Sequence, residues 1–216
     1  MTSPRLAILQ RVIAAAAVIV SSACADGDKT TDTAAVAKAP APSSKAATSA
    51  AMNSDSMAGM KTGSGMQGMT MTGNADRDFL RMMSDHHKGM IEMAHMTKDR
   101  KVRGPASADA ERIDTKQDGE LDDMMTMLEK TFKDAYAAKV TSDNKSMADE
   151  LNGKTGLAYD RAFYANTIKH HQEAVTMIDA YLPTAKSAAV KQMAEKMKAD
   201  QTKEIVEFQK KLSQMR

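Results

Sequence analysis

The chain holds 216 residues with a formal net charge of +2, 4% aromatic residues, no Trp, one Cys and 20 Met. There is no basic stripe with interleaved aromatics, which excludes nucleic acid as a partner. A single Cys excludes an internal disulfide, and a core must be assembled largely from Ala, Leu, Ile, Val and Met.

The N-terminus reads as an export signal. Arg5 and Arg11 flank the start of the apolar run VIAAAAVIV (12–20), which has the length of a signal h-region and is too short to span a membrane. Two processing readings compete. Ala23-Cys24-Ala25 fits an Ala-x-Ala site cut before Asp26. Cys24 also stands where a bacterial lipoprotein carries its lipid, with Ser21 where an aliphatic residue is usual. The second is favoured, with a signal over 1–23 and lipidation at Cys24, because an unpaired exported Cys is otherwise an oxidation liability. The expected location is the bacterial periplasm or cell envelope, with membrane contact only through the N-terminal lipid anchor.

Residues 24–75 are expected to form a disordered linker. The first part is rich in Ala, Thr, Ser, Lys and Pro and cannot bury enough apolar surface to fold. Over 52–73 Met recurs between Gly and Ser, at Met57, Met60, Met66, Met69 and Met71, with no helical amphipathy. Exposed thioethers invite oxidation, so these five are candidates for a flexible, secondary metal site. The competing reading is low-complexity drift.

From Asp76 the apolar spacing turns helical. Four helices are expected, at 76–99, 107–139, 158–181 and 185–213. RGPAS (103–107) breaks the first pair, with Ser107 or Asp109 as caps. TSDNKS and NGKTG read as turns, and Pro183 divides the last two helices, with Thr184 as cap. Residues 76–216 are therefore expected to form one all-α, antiparallel four-helix bundle.

An internal repeat runs at an offset of 84 residues. Asp76, Arg77, Phe79, His86, His87 and Met93 match Asp160, Arg161, Phe163, His170, His171 and Met177. In the partner helices Gln117 and Glu120 match Gln201 and Glu204, and Leu121 matches Ile205. The bundle is then two copies of one helical hairpin, 76–157 and 158–216, related by a pseudo-twofold.

Projected at about 100° per residue, Phe79, Met83, His86, Met90, Met93 and Ala94 share one stripe. His86 lies at its middle and His87 on its shoulder, while Glu92 and His95 fall off it. The second copy repeats this with Phe163, Thr167, His170, Ala174, Met177 and Ile178, and with His171 on the shoulder. Glu120 shares a face with Ile113, Gln117 and Met124, and Glu204 with Met197, Gln201 and Phe208. A carboxylate facing a core is costly unless paired or metal-bound. With the first turn near residue 102, His86 and Glu120 come to similar heights, and the repeat does the same for His170 and Glu204. The expected feature is an internal polar layer of two to four His and two Glu. Spacing leaves it open as a metal site or as a hydrogen-bonded structural network. Met83, Met90 and Met93 taken alone read more readily as core.

The doubled helix with Phe, a His pair and a later Met, together with the Gln-x-x-Glu partner helix, resembles the domain of unknown function 305 family over 76–216. The resemblance implies a ferritin-like four-helix bundle, usually exported, with some members linked to periplasmic copper binding through Met and His. It implies ligands at Met83, His86, His87, Met90 and Met93 in the first copy, and at His170, His171 and Met177 in the second. Thr167 and Ala174 replace Met83 and Met90 in the second copy, which leaves it fewer soft ligands. Many members carry Pro just before the His pair, where this chain has Asp85 and Lys169.

Thioethers prefer Cu(I), and imidazole accepts Cu(I), Cu(II) or Zn(II). The leading reading is extracytoplasmic sequestration or delivery of Cu(I) or Ag(I), with Cu(II) and zinc as alternatives and a copper-handling protein as partner. Glu120 and Glu204 complete the expected metal set. One competing reading is a metal-free helical interaction or stress module. Another is a dinuclear-metal oxidase, whose sites need Glu-x-x-His on inward faces; Glu92 and His95 match the string but face away from the core.

Overall fold

A computed structural model describes residues 69–100 and 103–215. The signal segment, Cys24, Met57, Met60 and Met66 lie outside the described residues. The elements in order are α1 (Ala75–Lys98), α2 (Ala106–Phe132), α3 (Ser142–Asp149), α4 (Gly156–Tyr181), a 3-10 turn (Leu182–Thr184) and α5 (Ala188–Gln214). The described residues contain no strand, and the fold is the expected all-α bundle, with α1, α2, α4 and α5 as its four long helices.

Local chemistry sets most helix ends. Asn74 caps α1 by accepting from the Arg77 amide at 3.0 Å, and Asp76 and Asp78 lie in the first turn, where the helix dipole favours anions. The chain is already tied down before this cap: the Thr72 amide and hydroxyl donate to Asp78 at 2.9 and 2.6 Å. Thr72 lies inside the stretch expected to be linker and is held on the first turn of α1. Ser187, not Thr184, caps α5 by accepting from the Val190 amide. Thr184 instead donates to the Tyr181 carbonyl within the 3-10 turn. Neither Ser107 nor Asp109 caps α2, which starts after Pro105 without a side-chain cap.

The largest departure from the expected helices is at the end of α2. The expected helix to 139 stops at Phe132, because Lys133 turns left-handed at φ 53° and the Asp134 amide closes back on the Leu128 carbonyl at 3.0 Å. The segment beyond runs extended over α1 and is held by tertiary bonds. Arg81 grips Asp134 through Nε and Nη2 at 2.6 and 2.8 Å. Asp85 accepts from the Tyr136 hydroxyl at 2.7 Å and the Lys139 amide at 2.8 Å. The residues read as a turn then form α3, capped by Thr141. It packs on α1 at Gly89, where an added Cβ would fall on the Asn144 side chain.

Helices α1 and α2 pack as one hairpin and α4 and α5 as the other, and α1 meets α4 across the bundle. Equivalent aspartates cross-link the copies. Asp76, at the start of α1, accepts from the Tyr181 hydroxyl and the Lys186 and Ser187 amides at 2.6, 3.0 and 2.9 Å, all at the α4–α5 turn. Its counterpart Asp160, at the start of α4, abuts Gly104 and lies 3.6 Å from Arg100 at the α1–α2 turn. Each copy thus docks its first aspartate on the other copy's turn, so α1 and α4 run antiparallel.

The apolar core falls into two clusters. One gathers Phe79, Leu80, Met83, Leu121, Met124, Ile178, Tyr181 and Met197. The other gathers Met90, Met93, Ile113, Met147, Phe163, Tyr164 and Phe208. On every long helix the residues between the clusters are polar: Ser84 to His87, Gln117 and Glu120, His170 and His171, Gln201 and Glu204.

Candidate metal centre

Four histidines and two glutamates meet in this middle layer. His86 and His170, equivalent in the repeat, lie ring on ring, with centroids 3.6 Å apart and planes 37° apart. His170 Nε2 lies 3.1 Å from the His86 carbonyl oxygen. A carbonyl only accepts, so Nε2 carries the proton and Nδ1 keeps a lone pair. That Nδ1 has no hydrogen-bond partner, and neither ring nitrogen of His86 has one. Both rings are buried. Burial, reinforced by the neighbouring histidines, holds both well below the ordinary imidazole pKa. The pair is neutral at pH 7, which is the state that ligates metals.

The second histidine of each pair has a different role. His87 Nδ1 lies 3.0 Å from the Met83 carbonyl, and its Nε2 lies 3.0 Å from Glu120 Oε2. Both ring nitrogens are therefore occupied. His171 Nε2 sits 3.0 Å from Glu204 Oε2, off the line of a hydrogen bond, and its Nδ1 is unpartnered. The histidine that meets each glutamate is thus the second of each pair, His87 for Glu120 and His171 for Glu204. Similar height along the axis does not decide it, because the neighbouring residue points about 100° away.

Basic side chains close the layer from outside. Arg112 and Lys116 reach Glu204 Oε1 at 3.3 and 3.2 Å. Lys196, one repeat offset from Arg112, lies 3.9 Å from Glu120 Oε1. Each copy's carboxylate thus faces a cation from the other copy's second helix. Burial pushes the Glu204 carboxyl up, but His171 and Lys116 outweigh it and hold it below the usual carboxylate range. These cations were missed in the sequence, although the matched positions 112 and 196 were there to be read.

The candidate thioethers flank the layer. Met83 lies in the core cluster on one side, and Met90 and Met93 in the cluster on the other, all fully buried. Met177 is partly buried against the first cluster. Met69, expected in a flexible collector, also packs there, and Met71 is half-buried. Glu92 is exposed, and His95 sits at the surface 3.0 Å from Asp114, so their Glu-x-x-His string does not enter the core. Among the described residues no three His, Cys, Asp or Glu side chains are grouped to hold a metal ion. A centre at His86 and His170 would take its remaining ligands from the thioethers beside them, a donor set suited to a soft monovalent ion.

The sequence matches the domain of unknown function 305 (DUF305) over residues 15–128 and 130–212. The chain belongs to the DUF305 family. This DUF305 chain resembles solved structures of CopM in Cu(II)-bound form (26% identity, TM-score 0.56, covering 64% of this chain and 95% of that one). It resembles CopM in Cu(I)-bound form at 26% identity and TM-score 0.52, covering 62% of this chain and 93% of that one. A DUF305 protein from Streptomyces coelicolor shares the fold at 20% identity and TM-score 0.59, with 66% and 92% of the two chains covered. No curated protein matches the sequence.

Proposed function

We propose that this DUF305 protein is an extracytoplasmic binder of Cu(I) or Ag(I), serving sequestration or delivery. The observation that carries the proposal is the buried, neutral His86–His170 pair, whose ring nitrogens include three with no partner, set between methionines. His86 and His170 supply nitrogen, and Met83, Met90 and Met93 supply sulfur. Met177 and His171 are secondary candidates. Glu120 with His87, and Glu204 with His171, brace the layer and place negative charge around a bound cation. The solved CopM structures with Cu(I), Cu(II) and Ag support copper or silver as the ion. The export-signal pattern supports the location, with Cys24 as lipid anchor and Met57, Met60 and Met66 as a weaker collecting segment ahead of the packed Met69.

The test is an anaerobic Cu(I) titration of the full chain against a competing chelator. A Met83→Leu/His86→Leu/Met90→Leu variant, which removes the donors and keeps the core filled, should lose the tight equivalent and stay folded by circular dichroism. If the wild-type chain binds neither Cu(I) nor Ag(I) at micromolar concentration, the proposal fails and the layer is a structural network.

A further inference from the structure

We propose that Gln117 and Gln201 are oxygen donors that let the same centre accept the oxidised ion, Cu(II). The inference rests on the copper reading above and assigns a role to two residues outside the His and Met set.

Both side chains are almost fully buried, at 2% and 1% exposure. Gln117 Oε1 and both amide atoms of Gln201 have no hydrogen-bond partner. A buried amide without a partner destabilises a fold, and an apolar side chain of similar volume would serve packing better. Here the liability occurs twice, at positions one repeat offset apart.

The helix register places both within about one turn of the histidine pair along the bundle axis. The His86–His170 stack fixes how α1 runs against α4. It brings Met83 to the level of Ala174, and Met90 to the level of Thr167. The His87–Glu120 contact fixes α1 against α2, so Gln117, one turn before Glu120, comes to the level of Met90. The His171–Glu204 contact does the same for α4 and α5, so Gln201 comes to the level of Ala174. One amide and one thioether therefore sit on either side of the His86–His170 pair.

The chemistry follows from the two oxidation states. Cu(I) is content with few soft ligands, and two imidazoles with a thioether suffice. Cu(II) prefers more ligands and takes oxygen donors readily, and an amide carbonyl oxygen is such a donor. Gln117 Oε1 and Gln201 Oε1 would be drawn in only for the oxidised ion. With the Glu120 and Glu204 carboxylates behind the outer histidines, the layer could then hold the extra positive charge.

The experiment uses the full chain and the variants Gln117→Leu, Gln201→Leu and the double. Cu(I) and Cu(II) affinities are measured separately by chelator competition, with electron paramagnetic resonance of the Cu(II) form and thermal unfolding of the metal-free form. The expected result is Cu(I) affinity within about threefold of wild type, Cu(II) affinity at least about tenfold weaker in the double variant, an altered Cu(II) spectrum, and a metal-free Tm no lower than wild type. Gln117→Ile and Gln201→Ile, which remove the carbonyl without adding a metal donor, repeat the test if a Leu variant misfolds. Unchanged Cu(II) affinity and spectrum, or equal losses for both ions, overturns the proposal while leaving the Cu(I) reading standing. Failure of the wild-type chain to bind Cu(I) is read in its own arm and removes both.

Discussion

The buried His86–His170 pair makes the metal-free protein sensitive to mild acid. Both rings stay neutral in the fold because burial and the adjacent histidines depress their pKa. In the unfolded chain they protonate near the ordinary value of about 6.5. A group with a depressed imidazole pKa leaves the unfolded state binding more protons, so stability falls as pH drops below about 6.5 and stops falling at the folded pKa. Each ring then subtracts about 1.4 kcal/mol per pH unit once well below that value. Integrated from pH 7 to pH 5, the loss is at most about 2 kcal/mol per ring and at most about 4 kcal/mol for the pair. That is a large share of the roughly 5–15 kcal/mol of a typical domain. Asp85 and Glu173, whose carboxyl pKa values burial raises, act in the opposite sense as pH falls, so the comparison must be made by difference. Urea unfolding of the metal-free wild type and of a His86→Leu/His170→Leu variant, at both pH values, isolates the term. The variant should lose most of the acid sensitivity and, because three unpartnered nitrogens vanish, should be no less stable than wild type at pH 7. A variant that keeps the full pH dependence would refute the assignment of these two rings as buried and neutral.

Other substitutions test the frame around the layer. Asp76→Ala strands the Tyr181 hydroxyl and two amides at the α4–α5 turn, and chemical denaturation should show a loss of about 3 kcal/mol. Gly89→Ala pushes a methyl group into Asn144 and should cost about 1–3 kcal/mol in a thermal melt. Gly119→Ala, in a helix with nothing within 4 Å of the added Cβ, should instead stabilise by about 0.5–1 kcal/mol. Glu204 is held below the ordinary carboxylate range, so it contributes stability above about pH 4.5 that is lost as pH falls below it. A Glu204→Gln variant should therefore show a flatter stability profile below that pH than wild type.

Much of this arrangement was legible before any coordinates. The 84-residue offset carries the two hairpins, the paired aspartates and the carboxylate that faces each second histidine, because a repeat transmits three-dimensional equivalence directly. Helical projection placed His86 inside. It did not choose between His86 and His87 as the partner of Glu120, since that depends on helix rotation rather than on height. The connection between the copies was misread for another reason. TFKDAYAAKV has helical propensity, but Asp85 and Arg81 reward an extended path with four hydrogen bonds, and tertiary contacts override local preference.

The same register explains why the methionines are not repeated. Near the pseudo-twofold, α1 and α4 approach closely enough for His86 and His170 to stack. At the next level on either side, one large side chain fills the space and its counterpart must be small. Met83 comes level with Ala174, and Met90 with Thr167, and all four are fully buried. Two methionines at either level would overpack the seam. The loss of soft ligands from the second copy therefore does not require that copy to have lost a site of its own. On the proposed copper reading, the histidines of both copies and the methionines of one would form a single centre on the axis, and the asymmetry would let thioethers reach it.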